Sequence, residues 1–157
     1  MNAPTGDMER GARSHFQIVI RLQMVRARVH DGLYRGASWG HENIEIEDIL
    51  TGVQGVAFAA REAGLAAFTS VCLQVGERIE RSLRSGHISR ITLALVAEWA
   101  ANAELYLRRP HYAQFAKTLM LQLNDSRWGS SLDPAEQAKL LHDLLEPSSW
   151  VRFCGAP

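Results

Sequence analysis

The sequence predicts an all-α protein: an antiparallel helical bundle of five or six helices built on a four-helix core. Three observations predict it. Apolar residues recur at the helical period in two consecutive segments, Ile46, Ile49, Leu50, Val53, Val56, Ala57, Ala60 and then Leu65, Phe68, Cys72, Val75, Ile79, Leu83. The two segments meet at Gly64 with almost no loop, so each helix can bury its stripe by folding back on the other as a hairpin. Further helical stripes then follow, punctuated by Gly86, Pro110 and Pro147.

Taken in order, residues 1–13 are polar and carry Pro4, Gly6 and Gly11, the composition of a disordered N-terminal tail. Residues 14–157 form the single bundle domain. Ser14 is placed to cap a helix. The segment from His15 to Leu33 fits two templates: Ile18, Leu22, Val25, Val29 and Leu33 make a helical stripe, while Phe16, Ile18, Ile20, Leu22 and Met24 alternate like a strand. Its length without a turn signal and its helical neighbours favour helix. Gly36, Ser38 and Gly40 then open a loop that carries Trp39 and His41.

After the hairpin, Arg84-Ser85-Gly86 gives a glycine stop. A helix from Ser89 to Leu107 follows, with Ile91, Leu95, Trp99, Ala103 and Tyr106 near one face. Another begins near His111 and carries Tyr112, Phe115, Leu119 and Leu123. Asp133-Pro134-Ala135-Glu136 combines an N-cap, a proline at the first helical position and a glutamate placed for a capping box. That last helix uses Leu140, Leu141, Leu144 and Leu145, and the tail from Ser148 to Pro157 is expected to pack through Trp150, Val151 and Phe153. The aromatic set Trp99, Tyr106, Tyr112 and Trp128 reads as core.

Composition narrows the function classes. The 157 residues suit one domain with a proper core, and 17 basic residues balance 17 acidic ones. No global field therefore points to nucleic acid or to an anionic membrane. Two cysteines, Cys72 and Cys154, make no disulfide framework, which fits a reduced cytoplasmic protein. The N-terminus lacks the pattern of a signal peptide, and no apolar run approaches a membrane span.

No catalytic constellation stands out. The histidines lack the i,i+4 pairing of a helical metal site, and His41 with Glu42, Glu45 and Asp48 reads as acidic residues favourably placed at a helix start. There is no glycine-rich phosphate loop and no nucleophile elbow. The expectation is a protein without cofactor, metal site or enzymatic activity.

The hairpin resembles the histidine-phosphotransfer (HPt) modules of two-component signalling. In those modules the phosphorylated histidine lies ten residues before a helix-ending glycine. A small or apolar residue, often cysteine, follows eight residues after that glycine, and a Leu-Glu or Ile-Glu pair comes later. Gly64, Cys72 and Ile79-Glu80 stand in those places, but the histidine's position is Gln54. The basic residue expected three positions on is Ala57, and the glycine expected four on is Phe58. The run of Trp99, Tyr106-Leu107, Pro110, Leu119, Leu123, Trp128 and Leu132-Asp133 is similar to HPt-like modules of type IV pilus chemosensory proteins, several of which also lack the histidine. The resemblance spans roughly residues 43 to 146. It implies a cytoplasmic helical module that binds rather than transfers phosphate, its partner a response-regulator receiver or a pilus-regulatory scaffold.

A carboxamide cannot be the phosphoryl-accepting nucleophile. Helical spacing puts Thr51, Gln54, Phe58 and Arg61 on one stripe, away from Val53, Val56, Ala57 and Ala60. With Gly55, these are the candidate partner-binding residues. An aromatic on the polar side, beside glycines that admit another backbone, suits an interface; a solvated helix position, or a Phe58 covered by other helices of the chain, is the plainer reading. A second function remains open, a structural module in which His15 to Leu33 pairs two copies as a homodimer. A small ligand-binding bundle would need a polar cluster in the core, which the stripes do not show.

Overall fold

The chain folds around the central hairpin. In the computed structural model, which describes residues 5–34, 42–86 and 90–146, α2 runs Glu42–Glu62 and α3 runs Ala66–Arg84. Gly64 adopts φ 78, donates its N–H to the Arg61 carbonyl, and is followed by Leu65, which donates to the Ala60 carbonyl. These are the two bonds of a Schellman stop, and they satisfy carbonyls that the helix end would otherwise orphan. Gly76 of α3 faces the side chains of Leu50 and Val53. Those residues lie at matching distances from Gly64 on either side, the register of an antiparallel hairpin.

The remaining helices are α1 Thr5–Tyr34, α4 Arg90–Arg108, α5 Ala113–Leu123 and α6 Pro134–Leu145, with a 3₁₀ turn at Ser126–Trp128. No strand occurs among the described residues. The segment from His15 to Leu33 is helical. Ile18, Leu22, Val25 and Val29 are buried in one stripe, whereas Phe16 and Met24 are exposed. The period-two pattern arises because α1 is apolar on two sides, not because it is a strand. The helix also begins at Thr5, where a disordered tail to residue 13 was expected. No proline interrupts residues 5 to 14, and each residue added to an existing helix gains a hydrogen bond. Residues 1–4 lie outside the described residues, as do Trp39, His41, His87, and Trp150, Val151 and Phe153 of the C-terminal segment.

Contacts along α1 set the topology. Val25 lies against Gly52 and Arg21 against Gly55, while Arg28 donates to the Asp48 carbonyl, so α1 runs antiparallel to α2. On its other side, Arg90 donates to the Leu33 carbonyl at 2.9 Å, and Gln23 and Arg26 meet Glu104. That makes α1 antiparallel to α4 as well. The ring of Phe68 at the start of α3 stacks on Tyr106 near the end of α4, centroids 6.0 Å apart, closing an up-down-up-down core.

Glu104 is a buried carboxylate, only 7% exposed, held by Gln23, Arg26 and Arg108. Burial pushes its pKa up, but the Gln23 hydrogen bond and the charges of Arg108 and Arg26 outweigh this and hold it below the ordinary 4.5. The second half clamps the bundle's far side. Arg78 of α3, buried, donates to the Leu123 carbonyl at the C-terminus of α5, where a cation meets the negative end of the helix dipole. Gln122 donates to the Leu95 carbonyl, Trp128 Nε1 donates to the Gln122 carbonyl, and Tyr106 Oη donates to the Leu144 carbonyl.

Three local expectations change. Ile91 is exposed and Thr92 takes the buried place, because four-residue steps rotate about 40° each and carry the stripe of Leu95, Trp99 and Ala103 off Ile91. Tyr112 precedes α5 rather than lying in it, and is half-exposed beside His111, Phe115 and the Arg109 guanidinium. Asp133 occupies the N-cap position of α6, but its side chain makes no cap hydrogen bond. The turn into α6 is instead pinned by Asn124, whose Oδ1 accepts from the Leu132 N–H and from Gln137 Nε2.

Phe68→Ala is expected to lower stability by ~3–5 kcal/mol, the cost of truncating a buried aromatic. Asp133→Ala is expected to cost less than ~0.5 kcal/mol, with only dipole effects to lose, and Asn124→Ala more than Asp133→Ala. Urea denaturation midpoints check the order, and an Asp133→Ala loss equal to that of Phe68→Ala would contradict it. Glu104 gives a pH signature. Its folded pKa is depressed, so its stabilisation is complete above 4.5 and is lost as pH falls through the lower folded value. Glu104→Gln should therefore be less stable than the parent at pH 7, and the gap should close in acid.

Candidate functional site

Helix α2 carries an outer stripe that the bundle does not use. Thr51, Gln54, Phe58 and Arg61 are all exposed, while Val53, Val56, Ala57 and Ala60 turn into the core. Phe58 is 62% exposed, so no other helix among the described residues covers it. Thr51 uses its hydroxyl on the Glu47 carbonyl, one turn back. Gln54 makes no hydrogen bond among the described residues, leaving its carboxamide to solvent or to a partner. Ala57 is buried, so that position offers no cation beside residue 54; the exposed cation nearest along the stripe is Arg61.

Gly55 does not belong to this surface in the expected way. A Cβ at Gly55 would lie 2.9 Å from the Arg21 guanidinium, and one at Gly52 would lie 2.9 Å from Val25 Cγ2. The glycines are explained by the approach of α1 within the chain, not by the backbone of a partner. Phe58 is left as the large apolar residue of this stripe with no role among the described residues of the bundle.

A residue that sequence reasoning missed lies on the adjacent helix of the hairpin. Leu73 of α3 is 49% exposed, although its neighbours Val71, Cys72 and Val75 are buried. The hairpin register, with Gly76 opposite Leu50 and Val53, brings Leu73 level with Gln54 along the axis. The signal in the sequence was the same one that marked Phe58: a large apolar residue off its helix's stripe. Cys72, by contrast, is fully buried, and burial pushes its thiol pKa far up, so it offers no thiolate.

The other polar candidates do not assemble into a site. No group of three or more His, Cys, Asp or Glu side chains among the described residues could hold a metal ion. His41 of the acidic cluster lies outside them. His30, His111 and His142 are exposed and distant in sequence, and His15 is half-buried on α1, its pKa lowered by burial and by the charge of Arg108. No helix among the described residues is long and apolar enough to cross a membrane. No family model, curated protein or solved structure matches the chain.

The two glycines give a sharp test of the α1–α2 approach. Gly55→Ala should raise stability by up to ~1 kcal/mol, since alanine favours helix and the end of the Arg21 side chain can swing away. Gly52→Ala should lower it by ~1–3 kcal/mol, because the Val25 side chain is stiff at χ1 and the added methyl overpacks the contact. Thermal melts of the two variants moving in the same direction would show that this contact is looser than described.

Proposed function

We propose that the chain is a non-catalytic, HPt-like signalling or adaptor module of a bacterial two-component or type IV pilus chemosensory pathway, working in the cytoplasm by protein–protein binding through α2. The observation that carries this reading is Phe58, a large aromatic 62% exposed on the polar face of a helix whose core stripe is complete without it. Leu73, on the adjacent helix and level with Gln54, extends the same surface. The up-down-up-down bundle with residue 54 outward on its second helix supports the HPt likeness. A partner evolved for such a surface, a receiver domain or a regulatory scaffold, would cover Phe58 and Leu73 and meet the free carboxamide of Gln54.

Chemistry at this surface stops at binding. Phosphoryl transfer needs a nucleophile with a lone pair free to attack, and a carboxamide nitrogen has none. Gln54→His alone would supply the nucleophile but no cation at position 57, and Phe58 would still occupy the space one turn on.

The test uses a photo-crosslinking residue placed at Gln54 in the native host. The expected result is a crosslink to one distinct protein that carries a receiver domain or belongs to a pilus-regulatory scaffold, lost on Phe58→Glu with circular dichroism unchanged. Incubation with a phosphorylated receiver domain should leave no phosphate on α2. A phosphoryl group mapped to α2, or crosslinking indifferent to Phe58→Glu, would overturn the proposal.

A further inference from the structure

The outer face of α1 carries a second surface with no partner among the described residues, separate from the α2 stripe. Phe16 is 63% exposed, Met24 is 52% exposed, and half-buried Ile20 lies between them. Their i, i+4, i+8 spacing makes a narrow ridge about 12 Å long, the ridge that packs into the groove of another helix. The side of α1 facing the bundle is already filled by Ile18, Leu22, Val25 and Val29, so this ridge is surplus to the fold.

Charge says what would cover it. Between residues 13 and 30, α1 contains Arg13, Arg21, Arg26 and Arg28 and no acidic residue. Arg26 is paired with Glu104 on the α4 side. Arg13, Arg21 and Arg28 are exposed and make no ion pair among the described residues; Arg28 reaches only the Asp48 backbone carbonyl. Arg21 and Arg28, whose ends rest on α2 at Gly55 and at the Asp48 carbonyl, therefore flank the ridge on the α2 side as cations without a carboxylate partner among the described residues, in a chain whose formal net charge is zero. A second copy of α1 laid on the ridge would oppose arginine to arginine, which disfavours the homodimer that the sequence left open as an alternative. A flat lipid surface calls for a broad apolar face, whereas this one is a single residue wide.

We infer that the outer ridge of α1, Phe16, Ile20 and Met24 with Arg13, Arg21 and Arg28, docks an acidic amphipathic helix of another protein. The partner's apolar residues pack against the ridge, and its flanking carboxylates meet the arginines. The electrostatic part sets association rate and salt dependence, and the aromatic and methionine side chains supply the anchors. This surface stands independently of the α2 proposal.

The test titrates the full chain with a fluorescein-labelled helical peptide of about eighteen residues, leucine at every i and i+4 core position and glutamate on the flanks. A peptide of the same design with lysine for glutamate serves as control. The acidic peptide should bind at low salt, weaken as salt screens the arginines, and perturb the amide resonances of residues 16 to 28. Phe16→Glu with Met24→Glu, or Arg21→Glu, should weaken it at least about tenfold, the effect of losing an anchor. Phe58→Glu should leave it unchanged. Three results would each overturn the inference: equal binding of the lysine peptide, binding of phosphatidylserine vesicles without binding of the peptide, or a dimer in light scattering that Phe16→Glu dissolves. Phe16, Met24 and Arg21 are all exposed, and circular dichroism of each variant confirms that loss of binding is not loss of fold.

Discussion

The close approach of α1 to α2 at Gly52 is the constraint on which the rest of the bundle depends. With no side chain there, Val25 settles against the α2 backbone, and a Cβ would come within 2.9 Å of its methyl. Glycine inside a helix costs ~1 kcal/mol relative to alanine, so this contact must return more than that in packing. Once α1 is seated on α2, its opposite flank is presented to α4, where Gln23 and Arg26 reach the buried Glu104. A steric contact on one side and an ionic one on the other fix α1 in rotation about its axis. That rotation decides which of its two apolar sides is core and which is left outside.

The stripes of α2 and α3 were legible in the sequence because each helix buries one face and the period is unambiguous. Ile49, Val53, Val56, Phe68, Cys72, Val75 and Ile79 are all buried as their spacing predicts. The Gly64 stop was legible too, since a left-handed residue ending a helix favours glycine. What the sequence hid depended on partners far along the chain. Glu104 sits in a helix of ordinary amphipathic appearance, and nothing local says that residues 78 and 81 positions away will surround it. Gly52 and Gly55 looked like openings for a partner because the helix that fills them, α1, was the one segment whose period was ambiguous. The same ambiguity concealed the outer ridge. A helix apolar on two sides matches both the helical and the alternating template, and only its neighbours select between them.

Of the predicted site residues, the structure brings Thr51, Gln54, Phe58 and Arg61 onto one exposed stripe, as helical spacing required, and withdraws Gly55 beneath Arg21. Leu73 joins them through tertiary register alone. A reading confined to one helix at a time could not have placed it, because its level relative to Gln54 depends on where the hairpin turns. The polar cap around Asn124 escaped for a related reason: Asp133 carries the stronger local signal, yet the hydrogen bonds that order the entry to α6 come from nine residues upstream.

Exposed apolar residues are common on soluble proteins, and single ones such as Leu121 or Leu145 ask for no explanation. Two features separate Phe58 and the Phe16–Met24 ridge from that background. Each lies on a helix whose buried stripe is already complete, so neither is a core residue caught at the margin. Each also lies beside polar groups that no other side chain among the described residues satisfies: the Gln54 carboxamide in one case, Arg13, Arg21 and Arg28 in the other. A solvated charge or amide costs little by itself, but its pairing with a large apolar neighbour is what a binding surface requires, since the apolar group supplies area and the polar group supplies selection. Several buried polar groups are arranged in the opposite way, although Trp99 Nε1 and Arg78 Nε are buried with no hydrogen-bond partner among the described residues. Glu104, Gln122 and the Tyr106 hydroxyl are each engaged within the chain, and the one cysteine in the core is kept protonated by burial. These hydrogen bonds tie helices of the bundle to one another.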